Sequence, residues 1–503
     1  MNRAIRLALL RFFERVHPGA ALALAGVLTF SPVHPVLASN LDTIGLTSLL
    51  AAHPELDGSG LTISQVEAST SSTSSVYQPD PSKAGLSSSI FHYYDSTSTY
   101  GGGGSSFDAA KESSHANSVA NAYYDVSAGV APGVDTIEVF DASYFYSDII
   151  SRTVFSRGRN VWSPVAIASQ IVNQSFVFNT TDSATIESVN LYYDAYANQY
   201  GTLFISGTQN GTGSVTYAPA SMYNGISVGR VDGQHSGNVL IVAPGSATSF
   251  ATPYVSGAAA LLLQAANNGD GLALSGTDPT DSRLLKTLIL NGATKTAGWS
   301  QTDTNPLDDT YGAGVLNVEN SYTNLAAGQH AASSVTSVSS GTVAALSDLS
   351  GITPYTDLAG WDLKTVTAST TTDAATHYIF DLTADTPLTL TATITWNSIT
   401  DVSAGTNWIN DFNLYLIDLT TGNTLAQSIS STENVEHLYI SNLVSGQYEL
   451  QVILAGGTSV PTDTYALSYS FATVPEPASF SCFLLGLLFI VIVRRYRLHR
   501  RTH

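Results

Sequence analysis

Ala247-Thr248-Ser249-Phe250-Ala251-Thr252-Pro253-Tyr254-Val255-Ser256-Gly257 leads without a break into Ala258-Ala259-Ala260-Leu261-Leu262-Leu263. From Thr252 to Gln264 small and apolar residues recur at helical spacing, and a proline near the start of such a run suits a first turn, where its missing N–H is no loss. A serine just ahead of that turn has an exposed hydroxyl. Its backbone amide is free as well, because the first N–H groups of a helix have no intrahelical partners. A nucleophilic serine needs both: the oxygen must face a carbonyl, and a backbone donor must meet the oxyanion that develops. On composition alone a loop and a packed Ala/Leu helix is the preferred reading, so a catalytic one depends on partners elsewhere in the chain.

Working outward, Gly58 to Ala68, Ile171 to Val177 and Thr202 to Ser206 are short apolar-rich runs bounded by Gly or Ser, as buried parallel strands are. Leu41 to Leu56 holds a short helix, and Ser114 to Tyr124 carries small and apolar residues at helical spacing. Strands alternating with helices to about residue 325 predict an α/β domain with a largely parallel sheet. Ser69 to Ser75 and Ser96 to Ser106, the latter with four consecutive glycines, read as surface loops.

Candidate partners for Ser249 lie on these elements. Four histidines, His53, His92, His115 and His235, stand between residue 38 and Ser249, and His115 alone opens a helical run of small residues, Ser113 to Ala120. Small neighbours let a helix approach another backbone closely and present one imidazole in a cleft. Gly58-Ser59-Gly60-Leu61-Thr62-Ile63-Ser64-Gln65-Val66-Glu67 is a turn and then a strand ending in a carboxylate, and sites collect at strand ends in parallel sheets. Acid, then His, then Ser is the chain order of the subtilisin arrangement and not of the chymotrypsin or α/β-hydrolase ones.

Segment by segment, the chain resembles the subtilase family: the strand to Glu67 is similar to the one ending in the family's catalytic Asp, Ser113 to Ala120 to its His helix, and Ala247 to Pro253 to its Gly-Thr-Ser-x-Ala-x-Pro motif. The likeness runs from about Gly58 to Asn320. It takes in Ser221 to Asp232, similar to the segment before the serine loop, and Tyr311 to Asn317, similar to the family's closing stretch. The resemblance implies a subtilisin-like α/β fold and a serine endopeptidase in which Ser249 attacks, His115 relays the proton and Glu67 orients the ring. It implies Asn210, or Gln209 one place away, as oxyanion donor. It also implies that Asn173-Gln174-Ser175-Phe176-Val177 is an edge strand binding a polypeptide substrate, with Asn173 and Ser175 as substrate-binding residues.

Three features depart from the family pattern. Glu67 stands in place of Asp, so its carboxylate reaches His115 only if the backbone sits farther back; on this reading Glu67→Asp keeps much of the activity. Ala247 stands where the family usually has Gly, and a left-handed backbone there would strain it. Ser39 to Gly58 is too short for the usual inhibitory prodomain. These departures keep a second reading open, a catalytically inactive subtilase-like surface or matrix-binding protein.

Beyond Ala331 to Gly341, where small residues dominate, Leu388 to Trp396, Phe412 to Leu416, His437 to Ile440, Tyr448 to Leu454 and Tyr465 to Phe471 alternate in the β manner with turns between them. This predicts an all-β sandwich, with a looser resemblance to the jelly-roll-like domains that follow many bacterial subtilases. The expected organisation is a signal peptide at 1–38, a protease domain at 39–330, a linker at 331–350, a β-sandwich at 351–473 and a sorting tail at 474–503.

The two ends read as addresses. Residues 1–38 have a basic start, an apolar stretch from Ala20 to Phe30, and Val36-Leu37-Ala38 before Ser39, the form of a signal-peptidase site. Val474-Pro475-Glu476-Pro477, the apolar run Phe480 to Val493 and the basic tail from Arg494 together resemble the PEP-CTERM sorting tail of Gram-negative bacteria, which implies an exosortase-type partner and transient anchoring in the inner membrane. Between residues 39 and 493, ten basic residues face 38 acidic ones, a balance of about −28 that repels phosphate backbones and argues against nucleic acid as a partner. The only cysteine, Cys482, falls in the tail, which excludes an intramolecular disulfide and thiol chemistry in the body. The chemistry requires no cofactor. Asp303, Asp308 and Asp309 near Asn305 offer oxygen ligands for a structural Ca²⁺, though their spacing is not that of an EF-hand and an acidic turn explains them too.

Overall fold

The computed structural model describes residues 39–71, 75–457 and 460–473; the expected signal peptide, the sorting tail and Cys482 lie outside them. Seven parallel strands form the first sheet: β1 (Thr62–Glu67), β2 (Phe91–Tyr94), β3 (Thr136–Asp141), β4 (Ile171–Gln174), β5 (Leu203–Gly207), β6 (Ile226–Arg230) and β7 (Ile241–Ala243), in the spatial order β2-β3-β1-β4-β5-β6-β7. Their side chains are almost all buried, the pattern of strands covered on both faces by helices. The chain adds β2 and β3 on one side of β1, then turns back and adds β4 to β7 on the other. The reversal falls between β1 and β4, and in such sheets ligands bind in the crevice outside the carboxyl ends at that point. Glu67 closes β1 there, in register with Asp141 of β3, while the preceding Val66 pairs with Gln174 of β4.

Two helices flank this crevice. One, Ser114–Tyr123, is capped by the Ser113 hydroxyl, which accepts from Ala116 N, and buries Ala116, Val119, Ala120 and Tyr123. The other, Thr248–Asn268, is buried nearly all round and ends at Gly269 in the left-handed region. Its close docking depends on two glycines. A Cβ at Gly257 would sit 2.4 Å from Val130 Cβ, and one at Gly207, the last residue of β5, would sit 2.6 Å from Thr252 Oγ1.

The C-terminal part is all β. One antiparallel sheet holds Ser334–Ser339, Thr372–Leu382, Gly446–Leu454, Phe412–Asp418 and Asn423–Ser428; the other holds Ala359–Thr367, Thr462–Thr473, Leu388–Trp396 and Val435–Leu443. Tyr378, Leu414 and Leu450 of the first share one apolar core with Leu390, Leu438 and Leu467 of the second. Within the stretch expected as a linker, Ser334–Ser339 pairs with residues 372–377. The α/β and all-β parts pack closely: Trp361, Val435 and Ala466 join the core of the α/β part, and Thr393 Oγ1 donates to Asn291 Oδ1 at 2.9 Å. Lys295 Nζ reaches His437 Nε2 at 2.9 Å, and burial lowers that lysine to about 7. Among the described residues no helix is long and apolar enough to cross a membrane.

Candidate active site

Glu67 is buried at the end of β1, 1% exposed, and its Oε2 lies 2.7 Å from Nδ1 of His115, whose side chain is 31% exposed. Burial by itself would lower the His115 pKa, but the hydrogen bond and the charge of Glu67 outweigh it and hold the imidazole above its ordinary value. With Nδ1 committed to the carboxylate, Nε2 is the nitrogen left for exchange with a reacting group. Phe250, the residue after Ser249, lies against the imidazole with ring centroids 5.4 Å apart. Ser249 itself is half-buried, and its hydroxyl makes no hydrogen bond within the described structure.

The serine helix begins at Thr248, four residues before the apolar periodicity, so Ser249 stands inside the first turn. Its cap, Ala247, has φ −145° and ψ 159°, an extended backbone that any residue adopts. The strain expected of Ala at this position is therefore absent. Ala247 also has no side-chain cap to offer, and Asn210 supplies one from outside: its Oδ1 accepts from Thr248 N at 2.9 Å. Among the described residues that leaves Asn210 Nδ2 and the Ser249 amide as uncommitted donors at the helix N-terminus, where the helix dipole adds positive potential. Asn210 is exposed, and Gln209 beside it is only half-buried.

Asn173 and Ser175 do not stand where the sequence reading put them. Residues 171–174 form β4, an interior strand paired with β1 on one side and β5 on the other, so no edge is open there. Both side chains are buried and turned to the serine helix. Pro253 has no N–H to give to Ser249 O, its i−4 carbonyl, and the Ser175 hydroxyl fills that gap at 2.8 Å. Asn173 Nδ2 donates to Ser175 Oγ at 3.0 Å, and Asn173 Oδ1 accepts from Ser256 Oγ at 2.9 Å. Both side chains thus hold the serine helix to β4. Only past Ser175 does the chain leave the sheet, half-exposed at Phe176 and Val177.

The other candidates are occupied elsewhere. His53 pairs with Glu55, His92 Nδ1 meets Gly103 O at 2.8 Å, and His235 is buried with Nδ1 accepting from Arg230 N. Asp108, a carboxylate ahead of the histidine helix, caps the short turn after it by accepting from Ala110 N at 2.9 Å. Asp308 accepts from Thr310 N and Tyr311 N, Asp309 from Asn305 Nδ2, and Asp303 from Gln427 Nε2 across to the all-β part. No group of three His, Cys, Asp or Glu among the described residues is placed to hold a metal ion.

A model of the subtilase family matches residues 34–314, more than half of the chain. The chain belongs to the subtilase family. Subtilases are serine proteases, hydrolases that act on polypeptides. Among solved structures, the prenylagaramide maturation protease PagA is 19% identical, with 55% of this chain and 98% of that one covered and a TM-score of 0.37. A cold-adapted subtilisin-like serine proteinase is 17% identical over 52% of this chain and 90% of its own, with a TM-score of 0.32. Tripeptidyl peptidase 2 is 13% identical over 73% of this chain and 41% of its own, with a TM-score of 0.31. No curated protein matches the chain significantly.

Proposed function

We propose that this subtilase is a serine endopeptidase that works through an acyl-enzyme with Ser249, His115 and Glu67 as its triad. Ser249 Oγ attacks the peptide carbonyl while His115 Nε2 takes its proton. The oxyanion receives hydrogen bonds from the Ser249 amide and Asn210 Nδ2. His115 then passes the proton to the leaving amine, and a water activated by the same nitrogen releases the acyl group. Glu67 holds the ring by Nδ1 and balances the imidazolium. The observation that carries this reading is the 2.7 Å bond between Glu67 and His115, whose imidazole packs against Phe250 in the first turn of the serine helix. Every group in the cycle is supplied by the chain, so the chemistry needs no metal or cofactor.

The test is hydrolysis of a denatured protein, blocked by a serine-directed phosphonate and lost in Ser249→Ala with secretion and folding intact. Absence of any phosphonate adduct at Ser249 favours instead the non-catalytic surface or matrix-binding protein.

For the two ends, we infer export across the inner membrane of a Gram-negative bacterium with removal of residues 1–38, anchoring through Phe480 to Val493, and release to the cell surface or medium by an exosortase-type enzyme acting near Pro475-Glu476-Pro477. The two antiparallel sheets then form a β-sandwich appendage carried with the protease. The released form should lack everything from about Ala478 onward, and recovery of chain ending at His503 from outside the cell would reduce the tail to a plain anchor.

A further inference from the structure

Glu67 has two carboxylate oxygens, and only one faces the histidine. The other, Oε1, accepts at 2.8 Å from Nε2 of Gln65, a side chain 0% exposed and two residues earlier on β1, hence on the same face of the strand. The second hydrogen of that amide goes to Ala116 O at 3.0 Å, in the first turn of the helix that carries His115. Gln65 Oε1 accepts from the hydroxyl of Tyr124, itself 0% exposed and at the C-cap of the same helix. The orientation of the amide follows from these partners. Two acceptors, a carboxylate and a carbonyl, demand the NH₂ group, and the phenol hydroxyl demands the oxygen. Burial holds the Tyr124 pKa well above its ordinary value, so the phenol keeps its proton and remains a donor.

A glutamate has one more rotatable bond than an aspartate, and without a second anchor its carboxylate can swing away from the imidazole at the cost of a single hydrogen bond. We propose that Gln65, locked by Tyr124, is the positioning residue that lets Glu67 orient His115, by tying the carboxylate to the first turn of the histidine helix. The proposal rests on the triad reading above and touches neither substrate nor reacting atoms.

The experiment compares Gln65→Met, which keeps length and apolar volume but removes the donor, with Tyr124→Phe and Glu67→Gln. Rates are expressed per active site, counted by stoichiometric phosphonate labelling. Gln65→Met is expected to lower kcat roughly 10- to 100-fold with KM nearly unchanged, the loss of a buried hydrogen bond to a charged group. It is also expected to move the acid limb of kcat/KM to lower pH, because His115 loses part of the Glu67 contact that raises it. Tyr124→Phe moves both in the same direction by less. A Gln65→Met enzyme with fewer active sites but parental kcat per site and an unmoved limb overturns the proposal, since that is what a purely structural residue does. Where Gln65→Met does not fold, an unmoved limb and parental kcat in Tyr124→Phe overturn it. The triad reading fails separately: near-parental activity of Glu67→Gln removes Glu67 from the mechanism, whereas an inactive Glu67→Gln beside an unperturbed Gln65→Met refutes only the role of Gln65.

Discussion

Shortening Glu67 to Asp, the family's usual residue, is the perturbation on which local sequence and structure disagree. From the motif alone, Glu67→Asp restores the expected carboxylate and should be tolerated. In the structure the carboxylate is held at both ends, Oε2 at 2.7 Å from His115 Nδ1 and Oε1 at 2.8 Å from Gln65 Nε2, with the backbone fixed in register between β3 and β4. Removing one methylene withdraws the carboxylate by about 1.5 Å, one C–C bond length. On a fixed strand the 2.7 Å contact opens well past hydrogen-bonding range. Misplacement of about 1 Å in an active-site group costs on the order of 100-fold, so kcat should fall by about that factor. KM should stay nearly constant, since Glu67 does not touch substrate. Steady-state kinetics on a fluorogenic peptide, normalised to active sites by phosphonate titration, measures both. A variant within threefold of the parent would refute the reasoning and mean that the strand or the histidine helix yields to meet the shorter side chain.

Three further outcomes follow from the same geometry. His115 must be neutral to act as base, so kcat/KM falls as pH drops through its pKa; because Glu67 raises that pKa, the midpoint should lie above the ordinary histidine value of about 6.5, and a profile centred below it contradicts the pairing. Asn210→Ala should cut kcat on the order of 100- to 1,000-fold if its amide meets the oxyanion, while Gln209→Ala should change it little, and the reverse ranking would move the role to Gln209. Ser175→Ala leaves Ser249 O without its donor next to Pro253 and should lower unfolding free energy by about 1–3 kcal/mol, read from chemical denaturation.

The sequence made the α/β class, the strand to Glu67, the histidine helix and the serine turn legible because each is a local pattern: an apolar run, a row of small residues, a proline near a helix start. Two features escaped because they are set by topology. Whether residues 171–174 form an edge or an interior strand depends on where later strands are laid down, and β5 closed the side that the motif alone left open. The edge position expected of Asn173 and Ser175 went with it. Gln65 and Tyr124 carried no signal at all, since a glutamine in an apolar strand and a tyrosine at a helix end acquire a function only when β1 and the helix pack together. The helix Ser183–Tyr200, rich in Tyr and Asn, lacked a clear apolar stripe, although Asp182 and Gly201 on either side are its cap and its left-handed stop. Ala247 shows the opposite error: the motif suggested strain, and the extended backbone removed it.

The central claim is that Ser249 is the nucleophile, and covalent trapping tests it most directly. The protein, incubated with a serine-directed phosphonate and digested for peptide mass analysis, should carry one adduct, on Ser249, formed with loss of peptide hydrolysis in proportion to labelling. The adduct should be absent from Ser249→Ala and form far more slowly in Glu67→Gln. Peptide hydrolysis that persists while Ser249 remains unmodified would contradict the account.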